Sequence, residues 1–550
     1  MLACCLTTSI AAVFLSWQHQ AMLNYGDAVA HLHIARRVLD SHRPGFSQLG
    51  SVWLPLPHIL LIPFVQIYSW WADGFAAVIP SALAYLAACV GIYRLARHWL
   101  PSCCAALALA FFGGNPNLLY LQTTAMTEPL FLCEMIWIAL WLVEWRENLD
   151  VNPERAGRLL RFIALALVAA VYTRYDGWVM ALLTWSCIGI VLSRRDALRS
   201  RGFWLATVLV VAAPVAWFIY NAAAFGDWLF FLRGPYSAAA IEARTSAPGF
   251  PPHPGWHNPW VALIFFVKAA ELDAGAAAWG NIPLVLAALG TLYASLTAHR
   301  RAFAWALLLW LPVPFYAYSV AYGSVPIFLP VWWPHSWYNM RYGMELLPAL
   351  ALGLGFGAQS VRALILEFKP RHSTRHRESL LMSCAIAFLF GLVNMNFLQM
   401  IRERPIVYVE STKNIQARRA YENQIPPVLR QLLSRQPGAI VLMNTSTDPE
   451  LVALTGIPLR QTINESDQEF FQAALDAPAA HAGLVLAFDG DSIDSAVKAH
   501  SGNLTVVQHF SVPGQPSATI YTSDTGFSPQ TSSSLNKPTQ SVVASGKESR

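Results

Sequence analysis

The chain has 550 residues, of which 55% are hydrophobic and only 13% charged, about half the ~25% charged share of an ordinary soluble domain. That balance excludes a single soluble globule, and because the apolar residues fall in blocks it points to a polytopic membrane protein. Lys and Arg number 37 against 32 Asp and Glu, a net charge of +5. No basic field for nucleic acid arises from so small an excess, and only its location is informative.

Blocks long and apolar enough to cross a bilayer run near residues 2 to 22, 75 to 95, 103 to 121, 128 to 145, 178 to 193, 203 to 220, 280 to 296, 302 to 320, 343 to 364 and 379 to 399, with a shorter one at 159 to 172. About eleven transmembrane helices are therefore predicted. Basic residues collect in alternate loops: Arg94 and Arg97; Arg146, Arg155, Arg158 and Arg161; Arg194, Arg195, Arg199 and Arg201; Arg300 and Arg301; Lys369, Arg371, Arg375 and Arg377. Eleven spans place all five loops on the cytoplasmic side. Counting Trp53 to Trp71 as a twelfth would put them outside, and Pro55, Pro57 and Pro63 interrupt any long helix there, so that segment reads as juxtamembrane or re-entrant at the outer surface. The amino terminus is then cytoplasmic and the carboxyl terminus extracytoplasmic. The first block lacks a basic leader and a clean small-residue cleavage site, so it reads as a retained span and not a signal peptide.

Three long connections fall outside, at 23 to 73, 221 to 279 and 321 to 342. Beyond residue 400 the blocks stop. Short strand-like runs at Ala439 to Asn444, Leu459 to Ile463, Gly483 to Asp489, Leu504 to Phe510 and Ala518 to Thr522 alternate with helical stretches, which predicts a small extracytoplasmic α/β domain over 401–523. From Asp524 to Arg550 the Ser, Thr, Pro and Gln content predicts a disordered tail. All eight cysteines lie in or beside apolar blocks and read as small buried hydrophobes, not as a disulfide framework or zinc site. No internal repeat is visible.

The candidate chemistry lies at outer span ends. Asp27 and His31 are four residues apart and so share a helix face; the acid is a potential general base or metal ligand, or simply the helix N-cap. His33 reads as interfacial. Glu128, next to Pro129, opens the fourth span, where the helix dipole favours an acid; at the same depth as Asp27 it is a partner for binding a cation or dividing base and orienting roles. Arg174 and Asp176 in YTRYDGW can pair with each other. Arg341 and Tyr342 enter the membrane in WYNMRYGMELLP, the arginine suited to clamp a phosphate, to snorkel, or to pair with Glu345. Arg233, Lys268, His58, His253, His257 and His335 are lesser candidates.

This layout resembles the GT-C superfamily of integral-membrane glycosyltransferases, the group of protein O-mannosyltransferases and aminoarabinose transferases. It rests on Asp27 just after the first span, the Pro-rich WLPLPH of Trp53 to His58, the TEPL turn at Glu128, and Arg341, Tyr342 and Pro348, over roughly residues 1 to 400. The stretch from Ala30 to His58 is also similar to a bacterial branch carrying an extra carboxyl-terminal domain. The resemblance implies a polyprenyl-phosphate-linked sugar as donor, transfer with inversion to a protein, lipid or glycan hydroxyl on the extracytoplasmic side, Asp27 and Glu128 as catalytic acids, and Arg341 as ligand of the lipid phosphate. His31, Arg174, Asp176 and Tyr342 would line the substrate site. A divalent metal ion is allowed by the resemblance but not required, since some members work without one. One departure stands out: the acidic-basic pair that precedes the prolines in the aminoarabinose transferase pattern is replaced here by apolar Val52 to Leu54. A transporter or flippase is the alternative from another class. It should show inverted repeats and midplane charges, whereas the polar residues here gather at one interface.

Overall fold

A computed structural model describes residues 2–195, 201–245, 249, 251–297, 300–367 and 375–523. Two compact units divide the chain, one running to Ala420 and the other beginning at Tyr421. The first is helical. Among the described residues, seven helical runs are long and apolar enough to cross a membrane: Phe75–Arg97, Pro153–Thr173, Asp176–Ser193, Arg201–Phe225, Ala302–Tyr322, Met340–Leu364 and Ser383–Gln416. Each falls on a predicted span. Leu2–Gln18, Ser102–Gly113 and Asn281–Thr297 are shorter apolar helices on three more. The last, Glu128–Asn148, spans 21 residues but carries Glu128, Glu134 and Glu144. Acids are tolerated there because neighbouring helices cover them: all three carboxylates are buried.

Two differences from the apolar pattern have local causes. The block from 103 to 121 is two helices, because Asn115 ends one and caps the next: its side chain accepts the N–H groups of Asn117 and Leu118 with Pro116 at the first helical position, an arrangement that satisfies otherwise orphaned donors. Between Trp53 and Trp71 the prolines do not prevent a helix but sit within one, Pro55–Val65, with Pro55 in its first turn. At 11 residues it is too short to span.

Residues of three of the basic loops come together at one set of helix ends. At one end of the Glu128–Asn148 helix, buried Glu144 accepts Arg94 at 2.9 Å and Arg155 at 3.3 Å, while Asp150 pairs with Arg146 and Arg195. At its other end Glu128 meets the remaining candidate residues. The cysteines are all free, but Cys4, Cys187 and Cys384 are exposed, on outward faces of apolar helices where lipid takes the place of protein. Arg199, Lys369, Arg371 and the tail from Asp524 lie outside the described residues.

The second unit is a mixed α/β layer. Strands β1 (Val441–Met443), β2 (Thr462–Ile463), β3 (Leu484–Phe488), β4 (Leu504–Phe510) and β5 (Ala518–Ser523) form one sheet in the order β2-β1-β3-β5-β4. The first three are parallel, and β5 and β4 are added antiparallel. Five predicted strand segments are thus present, the second shortened by a 3-10 turn at Leu459–Gln461. Its core packs Leu442, Val485 and Ala487 of the sheet against Ala474, Ile493 and Val497 of the helices. Strand β3 is buried along its whole length and is apolar throughout, as a central strand covered on both faces must be.

Within the helical unit the tightest seam joins Asn281–Thr297 to Leu347–Glu367. A methyl group at Gly290 would overlap the carbonyl oxygen of Gly353, and one at Gly353 would overlap that of Ala287. Without a hydrophobic drive between helices in lipid, such backbone contact is what makes them adhere. Gly290→Ala is expected to lower the melting temperature in detergent, whereas Gly357→Ala, whose methyl would meet only the Leu286 carbonyl at 3.5 Å, should leave it near the parent value. Equal melting temperatures for both variants would refute the seam's importance.

Candidate active site

Arg341 is the centre of the site. It opens a 3-10 turn, Met340–Leu346, pressed so closely on the Pro259–Ala274 helix that a methyl at Gly343 would overlap the Ala270 nitrogen. Its guanidinium is 6% exposed and reaches three carboxylates from distant parts of the chain: Asp27 at 2.6 Å, Glu128 at 3.2 Å and Glu410 at 3.3 Å. The Tyr25 ring lies beneath it, 5.1 Å from centroid to guanidinium carbon, a distance at which a cation is held by the ring face.

A second guanidinium stands beside the first. Arg174, at the end of the Pro153–Thr173 helix, shares the same Glu128 oxygen at 3.4 Å and pairs with Asp176 at 3.3 Å and Glu345 at 2.9 Å. It also donates to the Tyr316 hydroxyl, which in turn donates to Glu345 at 2.6 Å. The Tyr342 ring separates the two arginines, 5.1 Å from Arg174 and 5.2 Å from Arg341. Pairing at this depth is what burial demands, since a lone charge out of water is costly.

Asp27, Glu128, Arg174, Asp176, Arg341 and Tyr342 are therefore brought together. Asp27 does not cap its helix: Tyr25 occupies the cap position without a side-chain bond, and Asp27 lies within the first turn of Gly26–Arg37, its carboxylate directed at Arg341. Arg174 does more than neutralise Asp176, and Arg341 does not pair with Glu345, which goes to Arg174. Glu410, Tyr25 and Tyr316 were not foreseen. Glu410 arrives because the chain reverses at Arg404, in the left-handed region at φ 67°, and re-enters as the Ile406–Gln416 helix. The Arg404–Pro405 step was the sequence signal for that reversal. Asn117 secures it, accepting the Val407 N–H at 3.0 Å while donating to the Asp273 carbonyl at 3.2 Å.

Exposure separates the acids. Glu128, Glu345, Glu410 and Asp176 are at most 6% exposed, whereas the Asp27 side chain is 45% exposed. Among the described residues no three His, Cys, Asp or Glu side chains gather to hold a metal ion. The acids that converge do so on guanidinium groups, so the residues do not fit the divalent ion that the resemblance allows. Of the lesser candidates, Arg233 pairs with Asp227, Lys268 with Glu271 and His253 with Glu242; His335 bonds the Pro330 carbonyl, and His257 packs on Trp256 and Tyr322.

His31 lies one turn along from Asp27 but bonds elsewhere, its Nδ1 2.7 Å from Nε2 of His58. Burial pushes His31 down to about 4 and His33 to about 3, and holds His58 well below its usual value of 6.5. Asp27 pulls His31 up, while Arg341 and Arg174 lower it further. Below pH 6.5 the unfolded imidazoles bind protons that the native ones refuse, so stability rises with pH across this window. Melting temperature in detergent is expected to fall as pH drops from 6.5 towards 4, each histidine costing about 1.4 kcal/mol per pH unit, and to be insensitive to these groups above pH 7.5. A profile flat from pH 7 to 4.5 would contradict neutral burial.

No protein-family model matches the sequence, and no curated protein matches it. Solved structures do. The crystal structure of ArnT from Cupriavidus metallidurans bound to undecaprenyl phosphate is similar at a TM-score of 0.57 and 12% identity, over 96% of this chain and 99% of that one. Its apo state gives 0.55 and 13% over the same shares. The Archaeoglobus fulgidus oligosaccharyltransferase tethered with an acceptor peptide gives 0.44 and 11%, over 94% of this chain and 74% of that one. The chain is a polytopic membrane protein that shares the fold of ArnT.

Proposed function

We propose that the protein transfers a sugar from a polyprenyl-phosphate-linked donor to an acceptor hydroxyl on the extracytoplasmic face. The observation that carries this reading is that Asp27 is, among the described residues, the one solvent-accessible carboxylate of the cluster, held at 2.6 Å by an arginine that is itself buried among acids. The fold supports it, since ArnT shares that fold and was crystallised with undecaprenyl phosphate.

In this reading Asp27 takes the proton of the acceptor hydroxyl as its oxygen bonds to the anomeric carbon. The bond from that carbon to the phosphate oxygen breaks in the same step, which inverts the centre. Polyprenyl phosphate leaves as a dianion and needs no proton, so what the site must supply is a base and positive charge near the phosphate. Arg341 and Arg174 supply the charge. Glu128 fixes both guanidiniums, and Arg341 keeps the Asp27 carboxylate oriented. The basic residues at the far helix ends support an extracytoplasmic site in this reading, with the amino terminus in the cytoplasm.

Purified protein in detergent, incubated with a panel of radiolabelled polyprenyl-phosphate sugars, should consume one donor. Asp27→Asn is expected to reduce consumption at least ~100-fold while the protein inserts and melts as the parent does. Arg341→Lys should raise KM for the donor, because a point charge cannot hold three carboxylates as a planar guanidinium does. A fully active Asp27→Asn protein would sink the assignment. Movement of donor across a vesicle bilayer without consumption would replace it with a transporter.

A further inference from the structure

His31 and His58 form a buried pair beside Asp27, and their tautomers follow from where their four nitrogens lie. The rings are 3% and 0% exposed, 4.9 Å apart, with Trp53 packed 4.6 Å from His31. One hydrogen bond, 2.7 Å from His31 Nδ1 to His58 Nε2, joins them, and two neutral imidazoles can share it in two ways. If His31 donates, the proton of His58 must sit on Nδ1, which is buried without a partner. If His58 donates, that Nδ1 is only a bare lone pair. Orphaned buried donors are rarer than under-satisfied acceptors, so His58 donates through Nε2. His31 Nδ1 then accepts, and the proton of His31 is on Nε2.

That Nε2 makes no hydrogen bond among the described residues, and unlike His58 Nδ1 it is not sealed from solvent. Asp27 on its own helix and Arg341 and Arg174 from other elements act on the ring electrostatically. A neutral donor there adds to the two guanidiniums without repelling them.

We propose that His58 locks His31 in the Nε2–H tautomer and that this N–H donates to a phosphate oxygen of the lipid-linked substrate. The assignment of the substrate rests on the transferase reading; the tautomer does not.

The test uses the full chain in detergent with 15N-labelled histidine, the His31 signals being identified by their loss in His31→Gln. His31 is expected to show a protonated Nε2 and a bare Nδ1, and in His58→Leu the two tautomers should mix. Binding of a polyprenyl monophosphate without sugar is expected to weaken about 10-fold or more in His31→Leu, the range for a hydrogen bond to a charged group. In His31→Gln, which keeps an N–H at that position, it should change less than about 3-fold. A protonated His31 Nδ1 in the parent protein would overturn the lock. Parent-like binding by His31→Leu, or a loss confined to the sugar-bearing donor, would overturn the phosphate contact. Lipid phosphate bound in this His31-dependent way without any sugar transfer would leave the inference standing and remove the transferase.

Discussion

A buried guanidinium cannot be left alone, and Arg341 is satisfied only when residues 27, 128 and 410 all reach it. Those partners come from the first turn of the Gly26–Arg37 helix, the start of the Glu128–Asn148 helix, and the Ile406–Gln416 helix. Removing one partner from such a set leaves an uncompensated charge, which is far more costly than never having buried the set at all. The assembly of the helical unit is thereby tied to the assembly of the site. Gly343 makes the approach possible, and Asn117 holds the segment bearing Glu410 against the one bearing Asp273.

How much of this can be read from residues alone depends on how rare each signal is. In a chain with so few charges, an acid or arginine at a helix end is conspicuous, and Asp27, Glu128, Arg174, Asp176 and Arg341 could be named without coordinates. Their pairing could not. Arg341 and Glu345 lie one turn apart and invite pairing, yet the turn is a 3-10 helix, and Glu345 reaches Arg174 instead. Glu410 was hidden by its surroundings, since a glutamate past the last apolar block reads as part of a soluble domain. Tyr25 and Tyr316 could not be distinguished from the aromatic residues expected at any membrane boundary.

The same contrast holds for the fold. Apolar length locates helices well but says little about where they break, because Asn115 and Pro116 are too few to dent a block of leucines and alanines. The α/β unit was more legible: β4 matches its predicted range to the residue, being a run with Thr505, Val506, Val507 and Phe510 bracketed by Gly502–Asn503 and Pro513–Gly514. The pairing of β5 between β3 and β4 needed coordinates, since strand order is a property of the sheet and not of any one strand. Asp27 illustrates a third limit. Its residue type favours a cap, but a preference measured over many helices yields to one strong partner.

Glu128 offers a single oxygen to two arginines, 3.2 Å from one and 3.4 Å from the other. An anion that draws either guanidinium towards itself therefore leaves the carboxylate still paired with its neighbour. Glu128 can thus change partners without a stage at which its own buried charge stands bare, so a cluster that looks rigid by its pairing holds one carboxylate that tolerates movement of either arginine.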